Sequence, residues 1–144
     1  MNSTAAPASA FTLDPQLERD TVAVGDLPLA RVLLMNDANF PWLILVPRQA
    51  GPIEIFDLDE AIRTQLMREI ALVARRFKAL IGCDKINIAA IGNVVAQLHV
   101  HVVARRRDDP AWPRPVFGVL PPRPYAQAER KAFIETLRRG LILR

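Results

Sequence analysis

Gln97-Leu98-His99-Val100-His101-Val102-Val103 alternates polar and apolar residues at a period of two, the pattern of a strand with two unlike faces. On a strand running from Gln97 to Ala104, residues 97, 99 and 101 project from one face and Leu98, Val100 and Val102 from the other. The apolar set belongs against a core. The opposite set is a row of one amide and two imidazoles, spaced roughly 6.5–7 Å apart by strand rise. The chain has 2 histidines in all, so any imidazole chemistry is confined to this row. Three readings stay open. The histidines can be surface residues without a task, or two ligands of a metal such as zinc, completed by Cys83 or a carboxylate. The third is nucleophilic catalysis, in which one ring attacks phosphorus and its neighbour handles charge and protons. With an ordinary pKa of about 6.5, histidine is mostly unprotonated at pH 7 and able to attack. Spacing does not separate metal binding from catalysis.

Outward from this row, Ile86 to Ile91 reads as a neighbouring strand closed by Gly92-Asn93. Before it, Asp59 to Leu80 carries Ile62, Leu66, Ile70, Val73, Phe77 and Leu80 at steps of three and four, which is the apolar stripe of a long helix; Gly82 ends it. Arg31-Val32-Leu33-Leu34-Met35-Asn36 and Trp42-Leu43-Ile44-Leu45-Val46 flank a turn-like Asp37-to-Pro41 segment and form an antiparallel hairpin. Both runs are apolar on successive residues, so both sheet faces are covered there. Thr21 to Val24 is a further strand, and Asp14 to Asp20 a short capped helix with Pro15 at its start. Downstream, Arg105-Arg106-Arg107 reads as a solvated strand end, with phosphate steering as the other use of such charge. Six prolines from Pro110 to Pro124 forbid regular structure, and Tyr125 to Leu141 is a terminal helix. Without a repeating βαβ rhythm, the class is α+β: a mostly antiparallel sheet of about five strands, one long helix packed on it, and a C-terminal helix.

The 144 residues fit one domain, with 51% hydrophobic and 24% charged residues that exclude wholesale disorder. Residues 1–10, small and polar, are expected to be a disordered leader to a single domain at 11–144. A single cysteine, Cys83, excludes an intrachain disulfide. A net charge of +4 with dispersed basic residues suits phosphate-bearing ligands but does not by itself make a nucleic-acid protein. No apolar stretch approaches the ~20 residues of a membrane span, and the start lacks the features of a signal peptide. The expected location is the cytoplasm.

The Gln97/His99/His101 row resembles the histidine triad (HIT) family of nucleotide hydrolases and transferases, whose hallmark is His-φ-His-φ-His-φ-φ with φ apolar. Leu33-Leu34-Met35-Asn36-Asp37 followed by Leu43-Ile44-Leu45-Val46-Pro47-Arg48 resembles the family's nucleoside-holding hairpin. Trp112-Pro113-Arg114-Pro115 resembles the Trp-Pro segment of its Hint-like branch. The likeness covers roughly residues 30–118. It implies a HIT-like fold and attack by His99 on the α-phosphorus of a nucleoside phosphoramidate or dinucleoside polyphosphate, through a covalent nucleotidyl-histidine that water hydrolyses. His101 would orient the phosphoryl oxygens, Asn36 would meet the ribose, Leu34 would clasp the base, and Asn93 and Gln97 would hydrogen-bond around the phosphate. The implied ligand is a purine nucleotide-type small molecule, with no cofactor or metal. A homodimer is implied, with Trp112 contacting the partner subunit.

Two departures weaken the implied catalysis. Gln97 replaces the first histidine; an amide both donates and accepts hydrogen bonds but cannot titrate. Val94 stands where the family usually has a Ser/Thr hydroxyl that serves the leaving group. Loss of one preorganised donor near developing charge costs about 10²–10³ in rate, which makes a nucleotide-binding module with little or no catalysis the alternative. Cys83, at a helix end with no activating partner in sequence, reads as structural.

Overall fold

The two runs without a polar face become neighbouring strands of one sheet. In the computed structural model, which describes residues 10–141, α1 (Pro15–Asp20) leads into β1 (Thr21–Asp26), β2 (Ala30–Met35) and β3 (Trp42–Pro47). A 3-10 turn (Ile55–Asp57) and α2 (Glu60–Ile81) follow, then β4 (Lys85–Ala89), β5 (Val100–Arg105) and α3 (Gln127–Leu141). The strand order is β1-β2-β3-β5-β4, with every neighbouring pair antiparallel. The α+β class, the five strands and both helices therefore stand as read. Residues 1–9 of the expected leader lie outside the described residues.

The long helix forms where its caps and stripe dictate. The Asp59 carboxylate accepts the Ile62 N–H at one end, and Gly82 at φ 68 closes the other with its N–H on the Lys78 carbonyl. Leu66, Ile70, Val73 and Phe77 pack against Leu34, Leu43, Leu45, Val100 and Val102, and Ile134, Leu137 and Leu141 of α3 complete this core. Glu69 sits among these apolar neighbours at 3% exposure. Its carboxylate accepts the N–H groups of Leu29 and Ala30 and an N–H of Gln65. A buried carboxylate is tolerable because these donors replace water, and they tie the β1–β2 connection to the helix.

The other sheet face is covered as well. Leu33, Trp42, Ile44 and Val103 meet Leu17, Phe40, Val95, Ala111 and Val116, with Phe11, Leu13, Met35 and Phe117 at the margin. All six residues of β3 and of β5 are buried. Two corrections belong here. The last strand begins at Val100 rather than Gln97, because β4 ends at Ala89, the partner of His101, and offers no ladder to the preceding residues. Arg105 is no solvated strand end: it is 1% exposed. Its Nε and Nη2 donate to the Asp109 carboxylate at 2.7 and 3.0 Å, and Nη1 donates to Asn87 Oδ1. The Trp112 ring lies 5.6 Å from its guanidinium carbon. Asp109 also accepts the N–H groups of Arg106, Ala111 and Trp112, so this pair shapes the turn that leads the proline-rich segment over the sheet. Among the described residues no helix is long and apolar enough to cross a membrane.

Candidate active site

His101 stands on β5 opposite Ile44 of β3 and Ala89 of β4, and His99 lies two residues before it. Their ring centroids are 5.0 Å apart at 72°, edge toward face, closer than strand rise alone would set them. His99 is 6% and His101 7% exposed.

Each ring is oriented by one hydrogen bond. His99 Nδ1 lies 2.6 Å from the Gln97 carbonyl oxygen. That oxygen can only accept, so Nδ1 carries the proton and Nε2 carries the lone pair. His101 Nδ1 lies 3.0 Å from Trp42 Nε1, and an indole N–H only donates, so here Nδ1 is the acceptor and the neutral ring carries its proton on Nε2. The two Nε2 atoms therefore differ in kind, one a base and one a donor. Among the described residues no buried side-chain nitrogen or oxygen lacks a partner, so neither unbonded Nε2 is sealed in. Burial, and then the charge of His99, lowers the His101 pKa to about 4, so that ring stays neutral at physiological pH. Phe117 packs edge-on against both His101 and Trp42, with centroids 4.9 and 5.5 Å apart.

A cavity of about 140 Å³ opens on His99, lined also by Glu54, Phe56, Ile91 and Gly92. A second, of about 620 Å³, runs between the β4 edge and Pro113–Phe117 and reaches His101. Cys83 belongs to the helix-side core, across the sheet from both imidazoles, and cannot complete a metal site with them. Among the described residues no three His, Cys, Asp or Glu side chains are gathered to hold a metal ion.

Comparison with known proteins shows the family and agrees with the fold. The HIT domain matches residues 16–108. The chain belongs to the histidine triad family. A histidine triad protein from Bradyrhizobium japonicum is 53% identical, with a TM-score of 0.90 over 92% of this chain and 99% of its own. One from Sinorhizobium meliloti is 46% identical, with a TM-score of 0.88 over 90% and 96%. One from Marinobacter aquaeolei is 41% identical, with a TM-score of 0.91 over 93% and 98%. The curated proteins contain no match.

Within this HIT protein the expected site residues scatter more than the resemblance implies. Leu34 is corrected. It pairs with Leu43, which pairs with Val102, and all three face α2 in the helix-side core. The β2 residues on the histidine face are its neighbours Leu33 and Met35, a slip of one position that moves a side chain across the sheet. Asn36 is half-buried, and its Oδ1 accepts the Tyr125 N–H ahead of α3. Asn93 is exposed on the loop after Gly92. Gln97 is engaged by protein at both ends of its amide: Oε1 accepts the Asp14 N–H and Nε2 donates to the Thr12 carbonyl, each at 2.8 Å. Trp112 is half-buried over its own Arg105. Trp42 and Phe117 were missed as site residues. Trp42 read as core because an apolar strand hides the one polar atom on its ring.

Proposed function

We propose that this HIT protein is a nucleotide hydrolase or nucleotidyl transferase acting through His99. The observation that carries the reading is the opposed tautomers of the two imidazoles, held by Gln97 and Trp42. The His99 Nε2 lone pair attacks the α-phosphorus of a nucleoside phosphoramidate or dinucleoside polyphosphate. The bond from phosphorus to the leaving amine or phosphate breaks, and the departing group keeps the electron pair and takes up a proton from water as needed. The ring becomes cationic as it bonds to phosphorus, and its Nδ1–H bond to the Gln97 carbonyl becomes charge-assisted and stronger. His101 Nε2–H donates to a phosphoryl oxygen where charge builds. Water then attacks phosphorus, the P–Nε2 bond breaks, and His99 is regenerated.

The ligand is a purine nucleotide-type small molecule, met by the exposed Asn93 at its phosphate and by the half-buried Asn36 at its ribose. The protein works as a cytoplasmic homodimer. Support for a second copy comes from the unpaired β4 edge with Ile88 51% exposed, and from Met67 on α2 at 63%.

A fluorogenic adenosine phosphoramidate assay tests the reading. Wild type should turn over and His99→Ala should lose at least about 10³-fold; equal rates in the two would remove the mechanism. One observation favours the binding-module alternative: Val94 is 92% exposed and its side chain offers no donor. Micromolar AMP binding by calorimetry without turnover of any substrate on a broad panel would select it.

A further inference from the structure

The position that the resemblance leaves without a histidine is occupied by a clip. The Gln97 side chain is an amide, and it pairs with the N-terminal strap as one peptide group pairs with another. Oε1 accepts the Asp14 N–H at 2.8 Å and Nε2 donates to the Thr12 carbonyl at 2.8 Å. These partners are 83 and 85 residues away in sequence. The strap is otherwise held by packing. Phe11 and Leu13 rest on the histidine-side core, and Arg31 lies 5.7 Å above the Phe11 ring. Beyond it, Asp14 caps α1 through the Gln16 N–H, and Leu17 of α1 is buried in the same core.

The main chain of the same residue orients the nucleophile, since the Gln97 carbonyl receives the His99 Nδ1–H at 2.6 Å. One residue thus grips the strap with its side chain and the His99 ring with its backbone. Gln97 lies in irregular chain, outside the β5 ladder, so no strand pairing of its own holds that carbonyl in place. Its adjacent long-range backbone anchor is the Leu98 N–H on the Pro52 carbonyl at 3.1 Å.

We propose that Gln97 is a positioning residue: by clipping Thr12 and Asp14 it fixes the carbonyl that sets the His99 tautomer, and so couples strap docking to nucleophile presentation. An imidazole at 97 has one donor and one acceptor on a rigid ring and cannot reach both strap groups side by side as the flexible-armed planar amide does. The glutamine is then a replacement with a task of its own. This inference rests on the proposed role of His99 for its kinetic arm only.

The experiment compares wild type with Gln97→Met, which keeps the length of the arm without either hydrogen bond, and with Gln97→Glu, which still accepts from Asp14 N–H but cannot donate to the Thr12 carbonyl. Thermal melts establish that each variant is folded. Amide exchange at Asp14, the ¹⁵N shift of His99 Nδ1, and kcat and KM on the phosphoramidate are then measured. In Gln97→Met we expect Asp14 exchange at least tenfold faster, the His99 Nδ1 shift moved toward a tautomer mixture, and kcat about tenfold or more lower with a smaller change in KM, as for a misplaced reacting group. Gln97→Glu should fall between. Unchanged Asp14 exchange, or faster exchange with the His99 shift unmoved, would overturn the proposal. If wild type shows no turnover, the enzymatic reading fails by itself, and exchange and ¹⁵N shift still decide the clip.

Discussion

Trp42 Nε1–H donates to His101 Nδ1 at 3.0 Å while Phe117 closes edge-on over both rings. Trp42 stands on β3 across from Val103, and its ring reaches diagonally along the sheet to the imidazole, the span open to a large aromatic. The consequence is electrostatic as well as steric. A second proton on His101 would have to sit on Nδ1, where it would face another N–H.

Replacing Trp42 by Phe should remove that opposition while keeping most of the packing. The two neutral tautomers should mix, and the His101 pKa should rise above about 4 while burial and His99 still hold it below the ordinary histidine value. Titration followed by ¹⁵N NMR reads both changes. If His101 presents its Nε2–H to a phosphoryl oxygen, kcat should also fall about tenfold, less than the 10²–10³ of deleting an oriented donor. An unmoved titration would show that the indole does not set the tautomer.

The depressed His101 pKa predicts how stability varies with pH. The unfolded chain takes up a proton on this residue at about pH 6.5 and the folded chain only near 4. Between those values the unfolded state binds more protons, so unfolding free energy falls as pH falls. The loss from this residue should reach roughly 3 kcal/mol and be complete below pH 4. Urea unfolding of wild type and His101→Asn at pH 7 and pH 4.5 measures it, since the variant lacks this part of the loss. Parallel losses in both proteins would disprove the assignment.

Asp109→Ala should be among the most damaging substitutions in the chain. It strands the guanidinium of Arg105 at 1% exposure and frees the N–H groups of Arg106, Ala111 and Trp112. Breaking a buried pair from one side costs about 3–5 kcal/mol. The Arg105→Met/Asp109→Ala double variant should lose less than the sum of the two single losses. Urea midpoints for the cycle supply the numbers, and strict additivity would mean that the pair does not act as a unit.

Ile88→Lys probes the proposed homodimer. The residue is half exposed on β4 at the sheet edge, and a charge there opposes strand-to-strand association. Sedimentation velocity should show a dimer for wild type and a monomer for the variant, with circular dichroism unchanged. A wild-type monomer at micromolar concentration would end the idea.

Periodicity made several elements plain. The stripe of α2, its stop at Gly82, and the antiparallel hairpin with its two covered faces all follow from neighbours within a few residues. So does the assignment of Val100 and Val102 to the helix-side core, because alternation survives where His99 and His101 interrupt it. Leu34 could not be placed that way. Residues 32–35 are all apolar, so nothing local distinguishes the two faces, and only pairing through Leu43 to Val102 decides which one it joins.

The order of residues along the chain was enough to single out the two imidazoles and the class of fold, because those depend on short repeats of polar and apolar character, while the family was suggested by the resemblance of its motifs. Which nitrogen of each ring is free was set by tertiary structure. The partners that choose the tautomers are Trp42, 59 residues from His101, and a Gln97 carbonyl lying beside a side chain that grips Thr12 and Asp14. The burial of Arg105 depended in the same way on Asn87, 18 residues away on the neighbouring strand, whose Oδ1 accepts from Nη1. Hydrogen bonds of this kind arise from three-dimensional approach, and no local pattern encodes which distant groups the folded sheet will bring within 3 Å.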